Sequence, residues 1–337
     1  MKALVVHDRW LQSTEELVVE PNEPVPTLQP GQVLVKIMAV AGNFFDILMV
    51  KGQYQIKPPR PFVPGVEFAG VVVRSHSSVN QFPPGTRVFG SETWGVFAEY
   101  GAVNVNHLHM IPSRLSFEEA CGLSITYPTS YAGLVIRAGI QAGDYVLIHA
   151  AAGGVGLAAV QIAKLLGATV IATVGSKTKA DVVRSQGADH VINYHTSEDW
   201  PDQVRKLTPN QRGVDIVYDP VGLINASLKC VAWNGRLVVV GFTSGKIEKV
   251  ATNRILLKNT SVVGLHWGPY EKFEPAQVPK VWEVLLRWLE RGDLKPVVYH
   301  QVYHGLDQVK DALDAIASRS SYGKVVIQIA QDPRSRL

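Results

Sequence analysis

The chain has 337 residues, of which 46% are hydrophobic, and a formal net charge of +4. That length and apolar content sustain two buried cores rather than one, and so predict two domains. No apolar run reaches the roughly 18 residues needed to cross a bilayer, and residues 1–10 lack a basic start followed by a long apolar stretch, so the expectation is a soluble, non-secreted protein. Two cysteines, Cys121 and Cys230, are too few for a disulfide framework or a four-thiolate zinc site. The mild positive charge suits anionic ligands such as phosphates. With no lysine–arginine block and no basic stripe interleaved with aromatics, nucleic acid is not expected as the main partner.

In chain order, the first hundred residues hold short strand-like runs at 3–6, 33–40, 67–73, 87–89 and 98–103. Gln29-Pro30-Gly31, Pro64-Gly65 and Pro83-Pro84-Gly85 punctuate them with turn chemistry, so this half reads as a β-rich, barrel-like domain. Ser116, followed by Glu118 and Glu119, is an N-cap that starts a helix, and a second helical stretch runs from Thr126 toward Ala138. From Asp144 apolar strands alternate with amphipathic helices, the pattern of a parallel sheet. Six strands are predicted, at 145–149, 169–173, 190–193, 215–218, 236–240 and 261–265, enough for a complete dinucleotide fold. The sixth is an apolar sheet edge, which predicts a two-fold homodimer that covers it. Past Gly268-Pro269 come a helix over about 279–290 and β-like segments at 297–303 and 324–329, which return the chain to the first domain.

The stretch 150–156, Ala-Ala-Ala-Gly-Gly-Val-Gly, joins the apolar run ending in Ile148-His149 to a helix that starts near Val155. A strand, a glycine turn and a helix N-terminus are the layout that binds a dinucleotide pyrophosphate. Gly153, Gly154 and Gly156 let backbone and phosphate approach, although Ala151 stands where the first glycine of G-x-G-x-x-G belongs. About 20 residues past the glycines, where an NAD site carries a carboxylate, the chain reads Thr173-Val174-Gly175-Ser176-Lys177-Thr178-Lys179. A serine hydroxyl and a lysine welcome a 2′-phosphate, so the expected cofactor is NADPH.

Several segments in order carry a wider likeness: Asn43-Phe44-Phe45-Asp46, Gly52-Gln53-Tyr54, Pro64-Gly65-Val66-Glu67-Phe68-Ala69-Gly70, the glycine turn, Gly187-Ala188-Asp189, Asp215-Ile216-Val217-Tyr218-Asp219, Gly235-Arg236-Leu237 and Gly323-Lys324. In order and spacing they resemble the zinc-free NADPH:quinone oxidoreductases, the zeta-crystallin-like group of the medium-chain dehydrogenase/reductase superfamily, over nearly the whole chain. The resemblance implies an α/β fold: a GroES-like β-barrel catalytic domain over 1–126, completed by 268–337, and a Rossmann doubly wound parallel-sheet cofactor domain over 127–267. Zinc alcohol dehydrogenases carry a cysteine where Asn43 stands, a histidine where Val66 stands, and four clustered cysteines with no counterpart here. Neither asparagine nor valine replaces thiolate and imidazole on zinc, so no metal is expected. His107 and His109, an i, i+2 pair beside a strand, are expected as a surface feature.

Without a Lewis acid, hydride transfer needs an acceptor that takes hydride readily, such as a quinone or an α,β-unsaturated carbonyl. The expected activity is zinc-independent hydride transfer from NADPH to such acceptors. The resemblance implies that Asn43 and Tyr54 line the substrate side of the nicotinamide. Asn43 would donate its amide to the developing oxyanion, while Tyr54 would donate a proton, cover the substrate or anchor its loop. Asp46 would mainly orient that loop. Tyr127 and Thr129 match a segment beside the nicotinamide ribose and carboxamide. Ala152, Gly153, Gly154 and Val155 would take the pyrophosphate, Gly175, Ser176 and Lys179 the 2′-phosphate, and Tyr194 the adenosine. Phe242 and Ser244 follow the fifth strand at its carboxyl end, with Phe242 toward the nicotinamide. Trp267 would cap the substrate or lie at a subunit boundary, and Lys324 would reach the cofactor from the returning tail. A 2-enoyl thioester or alkenal reductase shares fold and cofactor and stays open. A structural or RNA-binding crystallin-like role also stays open, though the intact glycine turn argues against it. Ser335-Arg336-Leu337 resembles the peroxisomal Ser-Lys-Leu address, which leaves cytoplasmic and peroxisomal locations open.

Overall fold

The computed structural model describes residues 1–197 and 199–331, and Ser335-Arg336-Leu337 lies outside them. The chain divides into two compact units, Met1–Ile125 with Pro296–Leu337, and Thr126–Lys295. Among the described residues no helix is long and apolar enough to cross a membrane.

The first unit is built on a seven-stranded, mostly antiparallel sheet. Its organising element is the long strand Gln32–Gly42, whose first half pairs with Tyr100–Asn104 and whose second half pairs with Val325–Gln328. Its other edge pairs throughout with Glu67–Ser75, with two register irregularities. Bulges of this kind bend a strand, and here one strand serves three neighbours as the sheet curls. Phe68, Phe89, Phe97, Ile37 and Met49 fill the interior. The expected Ser116 cap is present: its hydroxyl accepts from Glu119 N–H while the Glu119 carboxylate accepts from Ser116 N–H, a capping box that opens the short helix Phe117–Ala120.

The second unit holds six parallel strands, Tyr145–Ile148, Thr169–Val174, His190–Asn193, Val214–Asp219, Val231–Val239 and Ser261–Gly264. Numbered along the chain they lie in the order 3-2-1-4-5-6, the doubly wound arrangement whose order reverses beside the first strand. The inner strands are near-continuous apolar runs because both faces are covered. The fifth strand starts five residues earlier than its sequence suggests. Asn234, at φ 61°, and Gly235 form an irregularity within a strand that continues on both sides.

The return to the first unit comes later than the sequence analysis expects. The helix Gln277–Arg291 packs in the second unit, burying Val281, Trp282, Leu285 and Leu289, and Gly292 ends it in the left-handed region. Gln161 then ties Lys295 to the helix Gly154–Leu165, accepting from its N–H at 3.0 Å and donating to its carbonyl at 2.8 Å.

Candidate active site

In the second unit the glycine turn has the geometry of an anion cradle. Ala150 sits at φ 45°, an uncommon conformation for a residue with a side chain, and Gly153 N–H donates to the Ala150 carbonyl at 2.9 Å before the helix Gly154–Leu165 begins. A Cβ at Gly156 would lie 2.4 Å from the Ala150 oxygen and 2.7 Å from Ala151 Cα, so only glycine allows the helix this close to its strand. Ser130 fixes the helix start from behind by donating to the Val155 carbonyl at 2.8 Å. Buried His149, at the end of the first strand, lies 2.9 Å from the hydroxyls of both Thr173 and Ser227. Because the Ser227 hydroxyl donates to the Leu223 carbonyl, His149 Nε2 carries the hydrogen and Nδ1 accepts from Thr173. Burial pushes this imidazole down to about 4, so it is neutral and links the end of the first strand to the strand that ends in the Gly175 loop.

That loop gathers the adenosine-side residues named from the sequence. Ser176 caps the helix Lys177–Ser185 by accepting from Lys179 N–H, and a Cβ at Gly175 would lie 2.6 Å from the Tyr194 hydroxyl. Gly175, Ser176 and Tyr194 thus share one surface, and Tyr194 packs on His195 with ring centroids 4.6 Å apart. Phe242 and Ser244 meet over Gly222, each 3.4 Å from where its Cβ would be. Trp267 packs on Tyr270 with tilted rings 4.9 Å apart, and Thr129 is half-buried in the helix Leu123–Tyr131. Tyr127 lies in the same helix. Its ring is buried and its hydroxyl is directed at Gln161 in the helix Gly154–Leu165 at 3.4 Å.

In the first unit a charged cluster brings Asn43, Asp46 and Lys324 together with Glu67. All three ammonium hydrogens of Lys324 are used: on Glu67 Oε2 at 2.7 Å, Asn43 Oδ1 at 2.7 Å and the Gly42 carbonyl at 3.2 Å. Glu67, fully buried, also accepts from Asn43 Nδ2 at 3.0 Å and from Ile125 N–H at 2.8 Å. The lysine stem runs against Gly122, where a Cβ would lie 2.6 Å from Lys324 Cγ. In this structure the Lys324 ammonium is held by Glu67, Asn43 and Gly42, and the Asn43 amide donates to the same carboxylate, because a buried charge draws every donor within reach.

Asp46 accepts from Asn43 N–H at 2.8 Å through Oδ2, while its buried Oδ1 has no hydrogen-bond partner. Burial, with some help from the Glu67 charge, pushes its carboxyl up to about 7 against the opposing pull of Asn43 and Lys324. Tyr54 stacks on Phe45 at 5.4 Å, and burial first and the Asp46 charge second push its phenol above the usual value.

Sequence reasoning missed Glu67 at the start of an apolar strand, His149 at the end of one and Gln161 within an apolar helix. The two histidines expected at the surface are partly enclosed. His107 Nδ1 lies 3.1 Å from Glu92, and His109, on Phe89, is pushed down to about 4 by burial. Among the described residues no three His, Cys, Asp or Glu side chains gather as a metal-ligand set. Cys121 and Cys230 are buried free thiols, and burial holds the thiol of each well above its usual range.

Comparison with known proteins places this geometry. The family model of the alcohol dehydrogenase GroES-like domain matches residues 29–113, and that of the zinc-binding dehydrogenases matches 154–287. The quinone oxidoreductase-like protein 2 homolog of Nematostella vectensis is 40% identical over 94% of this chain and 86% of its own length. Human quinone oxidoreductase is 32% identical over 93% of this chain and 94% of its own length. The quinone oxidoreductase of Thermus thermophilus, whose structure was also determined in complex with NADPH, superposes with a TM-score of 0.83 at 31% identity, covering 98% of this chain and all of that one. Barrel-type unit, doubly wound unit and these relatives agree that the chain belongs to the quinone oxidoreductase family of the medium-chain dehydrogenase/reductases and is an oxidoreductase of that type.

Proposed function

We propose that the protein transfers hydride from NADPH to quinones or related conjugated carbonyls and does so without zinc. The observation that carries this reading is the Asn43–Glu67–Lys324 cluster. At the positions of the zinc ligands of alcohol dehydrogenases this chain has an amide and a valine, and the neighbouring carboxylate already accepts from the Lys324 ammonium and the Asn43 amide. Zinc therefore does not fit here, and no step is routed through it.

The residues present do fit NADPH, which when bound supplies the hydride. The free amides at the start of the helix Gly154–Leu165 face the pyrophosphate, and Gly156 keeps that helix close to the turn. Ser176 and Lys179, with no carboxylate in their loop, favour a 2′-phosphate, and Tyr194 covers the same surface. Tyr54 covers the acceptor, since a phenol pushed upward is a poor acid. Asn43, held by Glu67 and Lys324, fixes the start of the loop that carries Tyr54. A conjugated acceptor spreads the charge left by hydride addition over a conjugated oxygen, which hydrogen bonding stabilises without a Lewis acid. The edge strand Ser261–Gly264, paired on one side, supports a homodimer.

The test is NADPH consumption by chelated, metal-stripped protein offered a 1,4-benzoquinone, an enal and an enoyl-CoA side by side. Turnover without metal supports the reading, and the ranking of acceptors separates a quinone reductase from an enoyl thioester reductase. Zinc-dependent turnover, or none with any acceptor, refutes it.

A further inference from the structure

In the second unit Asp144, Asp189 and Asp215 each pair with a cation, Arg236, Lys164 and Arg212 in turn. Asp219, buried at the end of the strand Val214–Asp219, instead spends its carboxylate on backbone. Its Oδ1 accepts from Val221 N–H at 2.8 Å and Gly222 N–H at 2.9 Å, and its Oδ2 accepts from Leu223 N–H. Backbone donors on a carboxylate make strong hydrogen bonds, and three of them clamp the segment 220–223. In a trans peptide N–H and C=O point opposite ways, so drawing these N–H groups to the carboxylate turns the carbonyls outward. The Pro220 carbonyl accepts from Thr243 N–H at 3.1 Å and from the Thr243 hydroxyl at 3.0 Å, and the Val221 carbonyl accepts from Ser244 N–H at 3.1 Å. Gly222, at φ 97°, leaves room for the same loop: a Cβ there would lie 3.0 Å from the Lys246 carbonyl oxygen and 3.4 Å from the side chains of Phe242 and Ser244. The Leu223 carbonyl accepts from the Ser227 hydroxyl that His149 bonds, which ties the far end of the segment to the end of the first strand.

We propose that Asp219 is a positioning residue for the nicotinamide half of the cofactor: by fixing the peptide planes of 220–223 it seats the loop 241–246, which presents Phe242 and Ser244. This rests on the reading of NADPH as the cofactor. Sheet order indicates which half is concerned. The glycine turn follows the first strand, and Gly175 and Tyr194 follow the second and third, all on one side of the point where the order reverses. With the adenosine end on that side, the nicotinamide end falls to the loops that follow the fourth and fifth strands, which are 220–223 and 241–246. Phe242 is 43% exposed there, a large apolar ring that the chain itself leaves uncovered at the ligand side of the sheet. Asp219 touches no ligand in this account. It acts through Phe242 and Ser244, whose loop loses its carbonyl partners when the planes of 220–223 are free to turn.

The experiment compares the wild-type chain with Asp219→Asn, which keeps one oxygen for Val221 and Gly222 but sets an amide, unable to accept, against Leu223 N–H. Calorimetric titration measures binding of NADPH and of 2′-phospho-ADP-ribose, the same molecule without its nicotinamide. D219N is expected to bind NADPH at least about tenfold more weakly and 2′-phospho-ADP-ribose within about twofold of the wild type. Equal weakening of the two ligands, which a carboxylate that merely stabilises the unit would give, overturns the proposal, and so does unchanged NADPH binding. Hydrogen exchange of the wild type needs no variant. The amides of 221–223 should exchange slowly in the free chain, and those of 241–246 should be slowed further by NADPH but not by 2′-phospho-ADP-ribose. Fast exchange at 221–223, or equal protection of 241–246 by both ligands, overturns the proposal. A wild type that binds neither ligand overturns the NADPH reading instead.

Discussion

Replacing Lys324 with methionine probes the buried cluster directly. The substitution keeps the stem against Gly122 but removes the ammonium, so Glu67, fully buried, retains only the Ile125 and Asn43 donors. Removing one partner of such a pair costs about 3–5 kcal/mol because the remaining charge is uncompensated. The Asn43 Oδ1 and Gly42 carbonyl also lose their donor, at about 1 kcal/mol each when left unsatisfied, which puts the effect at the upper end of that range. Glu67→Gln combined with Lys324→Met removes both charges, and the pair of changes should cost at least about 2 kcal/mol less than the sum of the singles. The assay is urea unfolding at neutral pH, with hydrogen exchange of the strand Glu67–Ser75 reporting on the first unit. A loss below about 1 kcal/mol in Lys324→Met, or strict additivity in the double variant, would refute the claim that this pair organises the cluster.

Asp46 gives a pH prediction of definite sign. Its carboxyl, raised from 3.8 to about 7 in the folded chain, contributes stability that is present below 3.8 and lost as pH rises through about 7, up to about 4 kcal/mol; Asp46→Asn should abolish that slope in urea titrations. In Gly156→Ala the new methyl meets backbone at Ala150 and Ala151, so a destabilisation of about 1–3 kcal/mol and at least about tenfold weaker NADPH binding are expected from thermal melts and fluorescence titration. Ser176→Asp preserves the helix cap but repels a 2′-phosphate, and should shift the NADPH-to-NADH KM ratio by about 10–100-fold toward NADH; an unchanged ratio removes Ser176 from the phosphate site. Light scattering at micromolar concentration should show two chains per particle, and a strict monomer would remove the edge-strand argument.

Much of the second unit was legible because its signals are local. Apolar runs alternating with amphipathic helices locate all six strands, and the glycine turn announces the cradle between the first strand and its helix. The exception is the start of the fifth strand, whose register breaks at Asn234-Gly235 and which is held by parallel neighbours on both sides beyond the break. The helix Gln277–Arg291 was legible as a helix, but its apolar stripe does not say which sheet it meets. The cluster of the first unit was partly legible. Asn43 and Asp46 stand three residues apart in one motif, whereas Glu67 and Lys324 are single charges at the edges of apolar strands, 257 positions apart. Each is a sequence-level oddity that needs a buried partner. Their pairing depends on Val325–Gln328 lying beside Gln32–Gly42, which itself lies beside Glu67–Ser75, and no local pattern reports that register.

The central claim, zinc-free hydride transfer from NADPH to a conjugated acceptor, is tested most directly by following the label. Metal-stripped protein, verified metal-free by elemental analysis, is supplied with NADPH deuterated at the transferable C4 position and with an enal. The account predicts deuterium on the β-carbon of the saturated product, a slowed rate with the labelled cofactor, and no stimulation by added zinc. Turnover that appears only when zinc is restored, or product without deuterium, would contradict it.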